Sequence, residues 1–177
     1  MRVRRKLVGL LLCVMCLSLS LQGTGSASKL TANEGGMLEP SELFKDFPQI
    51  KWGMSFRDVK QAIEKTGAHP VRPLKDAETE LVWLGTFDGI RGRASARFTE
   101  GAGLTEVVVG VFPEGRQGEV FAAWLKKLVE RQGAAQEEED NSVAVSKVWR
   151  LKNRFAVELR SVKDDESPIV DVHWVKE

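Results

Sequence analysis

The dipeptide Val82-Trp83 returns as Val148-Trp149, 66 residues further on (149 − 83), and this recurrence constrains the fold more than any other feature of the chain. Each copy opens a strand-like run, is followed by a turn and an arginine-bearing strand, and is preceded by an amphipathic helical stretch. A supersecondary unit written twice can bury its apolar side by packing beside its copy, so the chain reads as two related halves sharing one core.

In the first half Ser55 is placed to cap a helix, and Asp58 three residues on completes a capping-box arrangement. Trp52, Phe56, Val59 and Ile63 form its apolar stripe, Gly67 stops it and Pro70 bars continuation. Strands are expected at Leu81–Thr86, Ile90–Phe98 and Leu104–Phe112, the first two joined by the Asp88-Gly89 turn. In the second half a helix ends at Gln132 before Gly133, with Val120, Phe121, Trp124, Leu125, Leu128 and Val129 as its apolar side. Glu137–Asp140 reads as an acidic loop, and strands are expected at Val143–Leu151, Phe155–Val162 and Ile169–Val175. The predicted fold class is α+β: two αβββ repeats, 47–113 and 114–177, form one antiparallel sheet of about six strands with two helices on one face. The other face is left open. Trp52, Trp83, Trp124 and Trp174 are read as core, while Trp149 is left unassigned.

The chain opens Met1-Arg2-Val3-Arg4-Arg5-Lys6, continues with an apolar run to about Leu21 and reaches the small residues Gly25, Ser26, Ala27 and Ser28. Those are the three parts of a secretory signal, so residues 1–28 are read as a signal peptide cleaved near Ala27 or Ser28 and the protein as periplasmic or secreted. Cys13 and Cys16 both fall inside that segment, leaving the mature chain without a thiol. Membrane contact is expected only through lipid at Cys16, which the bulky Met15 before it disfavours. Residues 29–46 read as a flexible linker with a short helical turn near Ser41–Phe44, and the single domain is expected over 47–177. Removing Arg2, Arg4, Arg5 and Lys6 leaves 26 − 4 = 22 basic residues against 25 acidic ones, a net charge of −3. A surface of that balance argues against nucleic acid as a partner.

The segment Ile50-Lys51-Trp52-Gly53-Met54-Ser55-Phe56-Arg57-Asp58-Val59 resembles the Gly-Met-Ser/Thr-x-x-acid/Gln-Val opening of the SmpA/OmlA (BamE-type) outer-membrane assembly lipoproteins. It is also similar to the β-lactamase-inhibitor-like domains, built from repeated helix-plus-strand units. The resemblance implies an envelope protein that binds other proteins through an exposed sheet face. Two departures stand beside it: no lipidated cysteine opens the mature chain, and strands follow the first helix directly. The resemblance transfers no functional residue.

Catalytic chemistry finds little footing. His69 sits before Pro70 in a turn, and His173 alternates with Val172 and Trp174 in a strand. Gly101-Ala102-Gly103 lacks the Lys-Ser/Thr of a phosphate loop, and neither Glu137–Asp140 nor Asp164-Asp165-Glu166 has calcium-loop spacing. No catalytic, cofactor or metal residue is therefore assigned. The positive signal is a charged sheet face: Arg91, Arg93 and Arg97 fall on one side of their strand, and Arg150, Glu158, Arg160, Asp171 and His173 can share that side. Its plain interpretation is a solvated face held by cross-strand charge pairs. Its functional interpretation is a partner-binding surface formed by Arg91, Arg93, Arg97, Arg150, Arg160 and His173. The expectation is thus a non-enzymatic envelope adaptor docking a protein partner, with a periplasmic small-molecule or lipid binder as the alternative.

Overall fold

The computed structural model describes residues 39–71, 79–151, 154–163 and 168–176; the expected signal segment with Cys16, and the linker as far as residue 38, lie outside them. Helix α1 (Pro40–Leu43) starts on a proline, where no backbone N–H is needed. Leu43, Phe44 and Phe47 are all buried. The packed part of the chain therefore begins before Phe47, because a short apolar plug closes the charge-rich stretch. Helix α2 (Phe56–Lys65) is capped by Ser55, whose Oγ accepts the Asp58 N–H at 3.2 Å, and it buries Val59 and Ile63. Strands β1 (Pro70–Val71), β2 (Glu80–Phe87), β3 (Ile90–Thr99) and β4 (Gly103–Val111) follow. Helix α3 (Gln117–Gln132) leads into β5 (Glu137–Asp140), β6 (Ala144–Leu151), β7 (Phe155–Val162) and β8 (Ile169–Lys176).

The predicted architecture needs correction. The sheet has eight strands, not about six, in the order β1-β2-β3-β4-β8-β7-β6-β5, and the described residues form three helices, not two. Each half is a helix followed by four strands, so the αβββ unit is too short by one. The missing strands are the two edges. β1 is only two residues long and begins with proline, too brief for any periodic pattern. β5 is Glu137–Asp140, read as a loop because four consecutive acids show no apolar alternation. It forms a strand because its charges are met: Glu137 by Arg150 at 2.6 Å and Glu138 by Lys147 across the ladder, and Asp140 by Lys163, just past β7, at 2.5 Å.

The halves meet where β4 pairs with β8. Val107 faces Trp174, Val109 faces Val172, and Val108 faces His173 between them. From that seam each half runs outward as an antiparallel meander to its short edge strand. The result is an approximate two-fold relation about the Val108–His173 pair.

One sheet face carries the core. The Phe44 ring sits 4.9 Å from Trp124, 5.6 Å from Phe87 and 6.1 Å from Trp174, which brings α1 and α3 together over the seam. Phe56 against Phe98 at 5.3 Å seats α2 beside them. Trp83, Trp124, Trp149 and Trp174 are at most 1% exposed. The unassigned Trp149 is therefore core, with its Nε1–H donating to the Gly133 carbonyl at 2.9 Å. Trp52 is only half-buried, against Phe155. The Gly53-Met54 segment of the motif forms a backbone clip on the start of β4: Gly53 N–H donates to the Leu104 carbonyl at 3.0 Å and Leu104 N–H to the Met54 carbonyl at 2.9 Å.

Candidate functional site

Residues directly opposite one another in an antiparallel ladder project from the same face, so the register assigns every side chain to a side. Away from the core run three rungs. One is Val82, Ser95, Val108, His173, Glu158 and Val148; a second is Leu84, Arg93, Gly110, Asp171, Arg160 and Ser146; a third is Glu80, Arg97, Glu106, Val175, Ala156 and Arg150. Arg91, opposite Thr86, lies beyond them on the same side. All six residues singled out from sequence, Arg91, Arg93, Arg97, Arg150, Arg160 and His173, share this face. No described helix covers it: Leu84 is 62% exposed, and Arg91, Arg93, Arg97 and Arg150 are all exposed.

The six do not form one cluster. In the second half Arg160 holds Asp171 bidentately, at 3.1 and 2.8 Å, and His173 Nε2 lies 3.4 Å from the same carboxylate. Glu158 stands opposite His173. Asp171 is buried, 6% exposed, in the middle of this group. Burial alone would push its carboxyl up, but hydrogen bonds from His173 and Arg160, with their charges, outweigh that and hold it below the usual range. The Asp171 bond in turn raises the Arg160 guanidinium, against the opposing effect of its burial. In the first half Arg97 repeats the arrangement, donating to Glu106 at 3.1 Å with Glu80 at 3.6 Å. Arg97–Glu106 and Arg160–Asp171 occupy corresponding places on β3–β4 and β7–β8, so the duplication carries its ion pairs with it.

A group whose folded pKa is depressed stabilises the fold above its unfolded pKa, and that contribution is lost as pH falls through the folded value. Asp171→Asn should therefore cost about 1–2 kcal/mol at neutral pH, a figure reduced because Arg160 keeps access to water. The gap between the variant and the unmodified chain should close below about pH 4, where aspartate protonates in the unfolded chain. Urea midpoints measured at neutral and acid pH check this, and a gap that persists unchanged in acid contradicts it.

Arg91 and Arg93 make no ion pair among the described residues, and exposed apolar side chains stand next to them. Leu84 lies opposite Arg93. Phe112, 45% exposed, donates its N–H to the Arg91 carbonyl at 3.1 Å, and Val71, 48% exposed, flanks Val82. These apolar members were not singled out from sequence. The signal existed: Val82 and Leu84 alternate with the core residues Leu81 and Trp83, so this strand is apolar on both sides.

Elsewhere, His69 is exposed. Two open clefts lie on the helical side. One of about 340 Å³ is bordered by Phe47, Met54, Asp58 and Lys65, and one of about 460 Å³ by Glu42, Lys45, Asp88 and Lys127. Among the described residues no group of three or more His, Cys, Asp or Glu could hold a metal ion, and no helix is long and apolar enough to cross a membrane.

No family model matches the chain, and no curated protein matches it. Among solved structures it is similar to a DUF4309 family protein (YjgB) from Bacillus subtilis subsp. subtilis str. 168, at 16% identity over 68% of this chain and 77% of that one, with a TM-score of 0.40. A superposition that loose does not define a shared topology.

Proposed function

We propose that this chain is an exported, non-enzymatic docking module of the cell envelope, and that its bare sheet face receives a protein partner. The export half of the reading rests on the basic, apolar and small-residue succession over residues 1–28. The docking half rests on one observation: a broad sheet roofed on one side presents arginines and exposed apolar side chains together on the other. Strands spaced ~4.8 Å apart and rising ~3.3 Å per residue give such a face roughly 700–800 Å². That is about the ~800 Å² per partner of a standard protein–protein interface. The alternative, a small-molecule or lipid carrier, needs room between helices and sheet. That layer is filled by Phe44, Trp83, Trp124, Trp149 and Trp174, which supports docking over carriage.

Photo-crosslinking in cells that produce the protein tests the reading. With p-benzoylphenylalanine at Leu84 or Val148, on the face, discrete adducts to another protein are expected; at Glu130 on α3, none. Adducts from Glu130 alone, or no adduct from either face position, would sink the docking proposal.

A further inference from the structure

We infer that the partner is held by the first-half end of the face, around Arg91 and Arg93, and that it offers an acidic segment carrying apolar side chains. This deepens the docking reading and rests on it. The observation behind it is a difference between the two copies of one scaffold. Because Val148-Trp149 corresponds to Val82-Trp83, Arg150 corresponds to Leu84. Likewise Glu137, opposite Val148, corresponds to Val71, opposite Val82. The same place on the sheet therefore holds a closed Arg150–Glu137 pair at 2.6 Å in one copy and exposed leucine and valine in the other.

The second half thus pairs both of its face arginines, through Arg150–Glu137 and Arg160–Asp171. Among the described residues the first half pairs only Arg97 of its three face arginines; Arg93 stands opposite Leu84 and Arg91 beside Phe112, with Val71 further along the same face. Gly110 adds no side chain between Arg93 on β3 and Asp171 on β8. A guanidinium is weakly hydrated and matches a carboxylate with two parallel bonds, and grouped exposed apolar residues mark contact surfaces. Carboxylates with apolar neighbours are what this patch lacks.

Two other occupants fit less well. An anionic bilayer laid on this flat face would press its phosphates against Glu80, Glu106 and Glu158 as well. In a second copy the acidic run among the described residues is strand β5, and its Glu137, Glu138 and Asp140 are already engaged by Arg150, Lys147 and Lys163.

The test uses the purified chain and a fluorescent, unstructured peptide of about a dozen residues bearing Glu and Leu among Ser, with a twin carrying Lys for Glu. The Glu peptide should bind preferentially and weaken about tenfold as salt rises from roughly 0.05 to 0.5 M. The R91E/R93E double variant should lose at least about tenfold on the Glu peptide and gain affinity for the Lys twin, while its melting temperature holds because both side chains are exposed. Lys126→Glu, on the helical side, should change neither. Equal binding of the two peptides, or an unchanged R91E/R93E, overturns the inference. So does preferential binding of phosphatidylglycerol vesicles, or self-association abolished by R91E/R93E. The two failures separate: adducts from Leu84 and Val148 without peptide preference leave docking standing and remove only this inference.

Discussion

Gly103→Ala should destabilise the protein by about 4 kcal/mol, through left-handed backbone strain and overpacking together. Gly103 opens β4 at φ +71°, and a Cβ there would meet the Gly53 carbonyl oxygen at 2.3 Å, its carbon at 2.7 Å and the Met54 oxygen at 2.8 Å. All three are backbone atoms of the clip that precedes α2, so no side-chain rotation relieves them. Gly101 supplies the control. It has φ +74° with nothing within 4 Å of an added Cβ, so alanine there meets only the backbone penalty, about 1–2 kcal/mol. At about 3 °C per kcal/mol for a chain of this size, the melting temperature should drop by about 12 °C for Gly103→Ala and about 3–6 °C for Gly101→Ala. Equal drops would mean that the close approach of clip and strand contributes nothing.

Trp124→Ala should cost about 3–5 kcal/mol, the range for emptying a buried aromatic site. The ring is 1% exposed and packs edge-on against Phe44. Its Nε1–H donates to Asp88 at 3.0 Å, in the turn between β2 and β3. Asp88 also accepts from Lys127 at 2.6 Å, and Lys127 reaches the Leu43 carbonyl at 3.3 Å. Helix α3, the end of α1 and the first hairpin are therefore tied at one carboxylate, on a residue that tolerates its own positive φ of 50°. Trp124→Phe keeps most of the volume and loses one hydrogen bond, so about 1 kcal/mol is expected. Guanidinium midpoints for the pair check this ordering. A phenylalanine variant as unstable as the alanine variant would show that the tie to Asp88, not the filling of the core, dominates.

Local chemistry made much of the fold legible. Ser55 caps α2 as its spacing with Asp58 predicts, and Gly133 ends α3 in the left-handed region, at φ 82°. The long strands lie within a residue or so of their expected limits because each alternates or carries a β-branched run. What failed was everything whose structure is set by a neighbour. Glu137–Asp140 has no strand signal of its own and becomes a strand through Arg150, Lys147 and Lys163 on or beside its partner. Leu43 and Phe44 are core because Trp124, Phe87 and Trp174 leave a space there, which no reading of residues 29–46 in isolation reveals. For the face, alternation was enough to place all five arginines and His173 on one side. It could not tell which arginines are neutralised, since that depends on cross-strand register, nor show that Leu84, Phe112 and Val71 stand among them.

The described borders of the sheet are both unsuited to accept another strand. One is a two-residue ribbon led by Pro70, which has no amide hydrogen to donate, and the other is a run of four acids. Such edge strands are poor templates for end-on lamination into fibres and for peptides that attach through main-chain pairing. A partner docking as proposed settles broadside. Its grip would come from side chains rather than from amides and carbonyls, so its preference could be rewritten by a few substitutions with the scaffold left as it is.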